Sequence, residues 1–190
     1  MKRLWSTMCV VVLLLLGCTG QDTLMERCLD IRSGILNARQ IEFDCRITAD
    51  YQQKLFTFDT HCSGDKEGNI SFRITEPASI ADITGTLSAE GGKLTFDGLA
   101  LDFGILAQQL PSPIGGPYVL LNALRSGYIR AYSSQNGVLH LTVDESYQSD
   151  SLSIDVFFGE DDAPFYAEVS FEGRKILSIE ISNFELKETV

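Results

Sequence analysis

The 190-residue chain has no long hydrophobic run, little positive charge and few histidines, and each shortage excludes something. Its strongest apolar stretch, Met8 to Leu16, falls well short of the roughly 20 residues that a membrane-spanning helix requires. Fifteen Lys and Arg stand against 26 Asp and Glu, a formal net charge of -11, so no diffuse basic patch exists to hold nucleic acid. There are two histidines, His61 and His140, and no Cys-x-x-Cys pair; nothing approaches the three or four ligands of a zinc site. No Gly-x-Ser-x-Gly elbow marks a hydrolase nucleophile. The glycine pairs Gly91-Gly92 and Gly115-Gly116 follow no phosphate-binding pattern. The acidic run Glu160-Asp161-Asp162 reads as a solvated turn, not a calcium loop. The expectation is a non-enzyme without metal or cofactor, which works by binding.

The N-terminus does carry a signal. Lys2 and Arg3 precede the apolar stretch, the charge-then-apolar order of an export sequence. The stretch closes on Leu15-Leu16-Gly17-Cys18, which has the form of a bacterial lipobox. On that reading residues 1–17 are a removable signal peptide. Residues 18–190 are then one domain, anchored through lipidated Cys18 to the extracytoplasmic face of the cell membrane. A plain signal peptide, or an anchor helix that happens to hold a Cys, is the alternative. Acyl chains contribute ~0.8 kcal/mol per buried methylene, so two or three of them hold stably where one is marginal. Removal of Lys2 and Arg3 leaves the body still more acidic. Its length and its 44% hydrophobic content suit one domain with a real core.

Beyond Cys18 the apolar period changes twice. Leu24, Cys28, Ile31 and Ile35 fall on one helical face, predicting a helix over Gln21 to Asn37 with Asp22 as a cap. From Gln40 the period is two. Ile41, Phe43, Cys45, Ile47 and Ala49 share one face of a strand; Phe56, Phe58, Thr60 and Cys62 share one face of the next. A hairpin turning near Tyr51 sets Cys45 opposite about Phe58, out of register for a bond to Cys62. Cys28, Cys45 and Cys62 are therefore expected as buried thiols, a disulfide from Cys28 to one of the strand cysteines being the alternative if the helix lies on this face. Ile70, Phe72 and Ile74 make a third strand, stopped by Pro77, and Ile80 to Ala89 a fourth. Leu94 and Phe96 follow, and the phase slips at Gly98, as at a bulge.

Ile105 to Arg125 interrupts the hairpins. Its middle, Pro111-Ser112-Pro113-Ile114-Gly115-Gly116-Pro117, reads as a flexible lid, and Tyr118, Leu121 and Leu124 make a short helix ending at Gly127. A second meander then runs to the C-terminus, opened by the Asn136-Gly137 hairpin signal. The fold class is α+β and mainly β. About ten strands form one strongly curved antiparallel sheet, an incomplete barrel, with the helix and the helical insertion over its open face.

The amphipathic Leu24–Leu36 helix, the Thr75-Glu76-Pro77 turn, Ile83-Thr84-Gly85, Gly92-Lys93-Leu94 and the closing Ala167-Glu168-Val169 and Ile179–Phe184 segments resemble the LolA/LolB-like superfamily of lipoprotein carriers. Within it the chain looks most like the branch of GerS-like lipoproteins of Gram-positive bacteria. The resemblance implies a half-barrel with an apolar cavity for acyl chains; some members instead bind other envelope proteins. The inward aromatics Phe43, Phe56, Phe58, Phe72 and Phe96, with Leu121 from the insertion, are the candidate lining. Equally, they are the filling of a solid core. Two functions follow: binding of a lipid or acyl chain, or partnership with an envelope protein and no small ligand.

Overall fold

The computed structural model describes residues 19–51, 54–104, 106–107, 110–148 and 151–187. Residues 1–17, read above as a signal peptide, and Cys18 lie outside the described residues. Helix α1 (Thr19–Asn37) leads into β1 (Gln40–Asp50), β2 (Leu55–Asp65) and β3 (Ile70–Glu76). Next come β4 (Thr84–Ser88), β5 (Gly91–Phe96) and β6 (Leu99–Phe103). A two-stranded ribbon, β7 (Leu106–Ala107) and β8 (Leu110–Pro111), precedes a 3-10 turn (Pro113–Gly115) and helix α2 (Gly116–Ser126). The chain closes with β9 (Tyr128–Gln135), β10 (Val138–Asp144), β11 (Leu152–Phe158), β12 (Pro164–Phe171) and β13 (Arg174–Lys187).

Eleven strands form one antiparallel sheet in the order β6-β5-β4-β3-β2-β1-β13-β12-β11-β10-β9. Two meanders therefore meet along a β1–β13 seam at the middle, and β6 and β9 are left as edges. The alternating pattern decides which face is covered. Ile41, Phe43, Cys45, Ile47 and Ala49 on β1 are all buried, as are Ile154, Val156 and Phe158 on β11. Both helices lie on that inner face. Full burial of such side chains contributes about 1.5–3 kcal/mol each, so the seam and its neighbours hold most of the apolar stabilisation.

Along the seam, the register shifts between Glu42 and Asp44 where Asn183 takes φ 52°. The extra residue moves the inward positions from Ile179 and Ile181 to Phe184 and Leu186, and Phe184 packs on Phe43 with ring centroids 5.9 Å apart. The change of parity in the last strand is thus a bulge.

Several sequence expectations are corrected. Helix α1 begins at Thr19, so Asp22 lies inside it and is not its cap. The fourth strand covers only Thr84–Ser88, because the chain after Pro77 turns until Asp82 at φ 66°. Gly98 is not a bulge. Asp97 (φ 46°) and Gly98 (φ 75°) close a two-residue hairpin that pairs Phe96 with Leu99. Cys45 is opposite Thr60, not Phe58, since the turn sits one residue further along than expected, with Asp50 paired to Leu55.

Candidate functional site

Helix α2 sits against the sheet through Leu120, Leu121 and Leu124, all fully buried. The segment before it is packed and is not a flexible lid. Ile114, Gly115, Gly116 and Pro117 are buried. A Cβ on Gly116 would lie 3.4–3.7 Å from Ile179, Ile47 and Leu177, so this glycine seats the start of the helix directly on the seam. Tyr51, just beyond β1, donates its hydroxyl to the Pro111 carbonyl, and burial pushes its pKa up to about 12. Arg125 donates to the Asp65 carbonyl at 2.6 Å. The insertion is a plug tied down at both ends.

Helix α1 holds the plug from the other side. Arg32 donates to the Leu124 carbonyl at 2.9 Å and to the Gly127 carbonyl at 2.8 Å, satisfying open carbonyls at the end of α2. Desolvation by burial lowers the Arg32 pKa, yet a guanidinium stays charged and suits the negative end of the helix dipole. Arg27 binds Asp162 at 2.6 Å and the Gly159 carbonyl at 2.8 Å, fixing α1 to the β11–β12 turn.

Two cavities open on the inner side among the described residues: one of about 280 Å³ between α1 and Phe184 and Leu186, and one of about 300 Å³ beside α2. The second lies between α2 (Tyr118, Val119, Asn122, Ala123, Ser126), the β4–β5 turn (Ala89, Glu90, Gly91), Gly104 and the opposite wall at Glu145 and Ile154. The buried Val119, Ala123 and Ile154 make an apolar floor, and the less buried Tyr118, Asn122 and Glu145 make its rim. Burial, helped by the Glu145 charge, raises the Tyr118 pKa. The hollow of about 750 Å³ on the outer face is larger and more open, and its lining mixes the charged Asp44, Arg46, Asp59 and Glu180 with Phe165 and Tyr166.

The predicted lining residues do not surround this cavity. Phe43, Phe58, Phe72 and Leu121 are buried in the filled part of the core. Phe56 and Phe96 lie on the inner face but beyond its cover, 42% and 55% exposed. Phe56 is at the open end of β2 against Tyr51, ring centroids 6.3 Å apart. Phe96 belongs to a wing, β4–β6, that neither helix covers. There Phe103 lies flat over Gly92 and Phe72 over Gly85; a Cβ at either glycine would come within 2.6 Å of the ring. The cavity residues that sequence reasoning missed, Val119 and Ala123, flank Leu120 and Leu121 on the helix. The signal for them was the third side of an already recognised helix.

Cys28, Cys45 and Cys62 are buried and unbridged, as expected. The contact with the Cys62 thiol, and then burial, push the Cys45 pKa well up, so this pair is inert core and not a nucleophile. The outer face carries His61 on Asp44 at 2.7 Å and His140 on Asp155 at 2.8 Å. Among the described residues, no group of three His, Cys, Asp or Glu could hold a metal ion, and no helix is long and apolar enough to cross a membrane.

No protein-family model matches the chain, and no curated protein sequence does. The solved structures similar to it include a LolA superfamily protein of Nitrosomonas europaea, at 9% identity over 86% of this chain and 94% of that one, TM-score 0.44. The lipoprotein LppX of Mycobacterium tuberculosis is similar at 10% identity over 88% and 95%, TM-score 0.42. A Vibrio parahaemolyticus domain described as an outer membrane lipoprotein-sorting protein is similar at 7% identity over 87% and 92%, TM-score 0.46. Likeness this distant carries no argument about a ligand or a partner.

Proposed function

We propose that the chain is a lipid-anchored, extracytoplasmic, non-enzymatic binding protein that takes an apolar ligand, a lipid or an acyl chain, between α2 and the β4–β5 turn. The observation that carries this reading is the cavity of about 300 Å³ with an apolar floor and a polar rim. That arrangement suits a guest with an apolar body and one polar end. Signal-peptide removal and lipidation at Cys18 belong to the same proposal and rest on the Leu15-Leu16-Gly17-Cys18 pattern. A Cys18→Ala chain purified without detergent is expected to carry lipid adducts in native mass spectrometry and to take up an environment-sensitive fatty-acid probe saturably. Adding Ala123→Phe, which fills the floor, is expected to weaken uptake several-fold. Absence of both adducts and uptake would rule the reading out.

A second reading has its own support. Gly116, Leu120, Leu121 and Leu124 fill the inner face at the seam, where a carrier of long chains needs room. A partner-binding regulator of another envelope protein, a role the superfamily resemblance also allows, needs no room there. Stoichiometric co-purification of one envelope protein, with no lipid, supports that reading.

A further inference from the structure

The two edges of the sheet are defended differently. On β9, Arg130 reaches Asp144 at 3.5 Å and Ser153 at 3.0 Å, and Tyr128 lies tilted against Tyr147, ring centroids 3.8 Å apart. Among the described residues, the edge strand β6 has no such cover. Its one charge, Asp102, is opposite Lys93 on β5. Leu99 and Leu101 are 77% and 65% exposed, and Phe96 lies beside Leu99 on the same face. Bare apolar edges invite another strand.

The hairpin settles which backbone groups are free. With a two-residue turn at Asp97-Gly98, Phe96 and Leu99 form a hydrogen-bonded pair, and so do Leu94 and Leu101. Leu99, Leu101 and Phe103 therefore spend their backbone groups on β5. Ala100 and Asp102 turn theirs outward.

We propose that β6 is a self-association edge: a second copy of this chain pairs its own β6 antiparallel to it, about a two-fold axis at Leu101. In that register Ala100 of each copy exchanges both backbone bonds with Asp102 of the other. Leu101 meets Leu101 in a non-hydrogen-bonded pair, where side chains come closest, and Leu99 meets Phe103 on the inner face. The neighbouring registers are worse. Centring on Asp102 sets two carboxylates opposite each other, and centring on Ala100 runs Asp102 into the Asp97-Gly98 turn. The result is one continuous sheet through both copies, with the exposed wing apolar groups brought together.

The test uses the full chain in mild detergent with single cysteines on β6. A non-hydrogen-bonded pair on the axis has the Cα separation a disulfide needs. Leu101→Cys is expected to form a covalent dimer under mild oxidation, and Leu99→Cys several-fold less, with the wild-type chain as control for its own thiols. By light scattering the wild type is expected to be a dimer and Leu101→Lys a monomer with unchanged circular dichroism. A monomeric wild type, equal cross-linking at the two positions, or Leu101→Cys joined to a different protein overturns the proposal.

Discussion

Tyr51 carries more of the architecture than its place in a turn suggests. Its hydroxyl holds Pro111, and the ring edge meets Phe56. The pKa of about 12, against an ordinary value near 10, means that the folded chain keeps a proton the unfolded chain releases in that window. The contribution is complete below about pH 10 and is lost as pH rises through 12. Tyr51→Phe is expected to cost about 1 kcal/mol near neutral pH, the worth of one buried hydrogen bond. It should also flatten the alkaline fall in stability, so the gap between variant and wild type closes at high pH. Urea denaturation at neutral and alkaline pH measures both effects. Nothing local in the sequence foretells the bond, since Tyr51 and Pro111 are 60 residues apart.

Helix α2 depends on a residue from another element. The Arg32 guanidinium closes its C-terminal carbonyls, 92 and 95 residues away in sequence. Arg32→Met keeps the stem and loses both bonds; charge-assisted bonds of this kind contribute about 1.5–3 kcal/mol. Chemical denaturation is expected to show a loss in that range. Hydrogen exchange should be fastest in the last turn of α2. The helix itself was legible: Tyr118, Leu121 and Leu124 gave its face, Pro117 its first turn and Gly127 its end. Its cap was not, because only the packing of α1 brings Arg32 there. The β5–β6 hairpin is a different kind of miss. Asp97-Gly98 between apolar residues is the same signal as Asn136-Gly137, but a shift of phase at an isolated Gly is equally the mark of a bulge.

The whole molecule is uneven in strength. The seam strands and β10–β12 lie under helices, while β4–β6 stand apart with Phe96, Leu99 and Leu101 uncovered. At concentrations where the chain is monomeric, amides of residues 84–103 are expected to exchange through a local opening well before those of β1 and β13. Exchange mass spectrometry that found equal protection across the sheet would contradict this. Alternation in the sequence identified the sheet, both meanders and the inward side of nearly every strand. It could not say how far the helices reach across. Phe56 and Phe96 carry the inward parity of Phe43 and Phe72, and only the extent of cover separates them. For the same reason the cavity fell beside α2, at Val119 and Ala123, and not under the aromatics.

The two arginines of α1 also set an order in which the protein gives way under tension. Of the two arginine ties, that of Arg27 to Gly159 and Asp162 lies nearer the N-terminal end of α1 and is loaded before that of Arg32 to α2. Between the two, the β11–β12 turn therefore takes strain before α2, as a mechanical fuse. The end of α2, which walls the cavity, feels the load only after those bonds have parted.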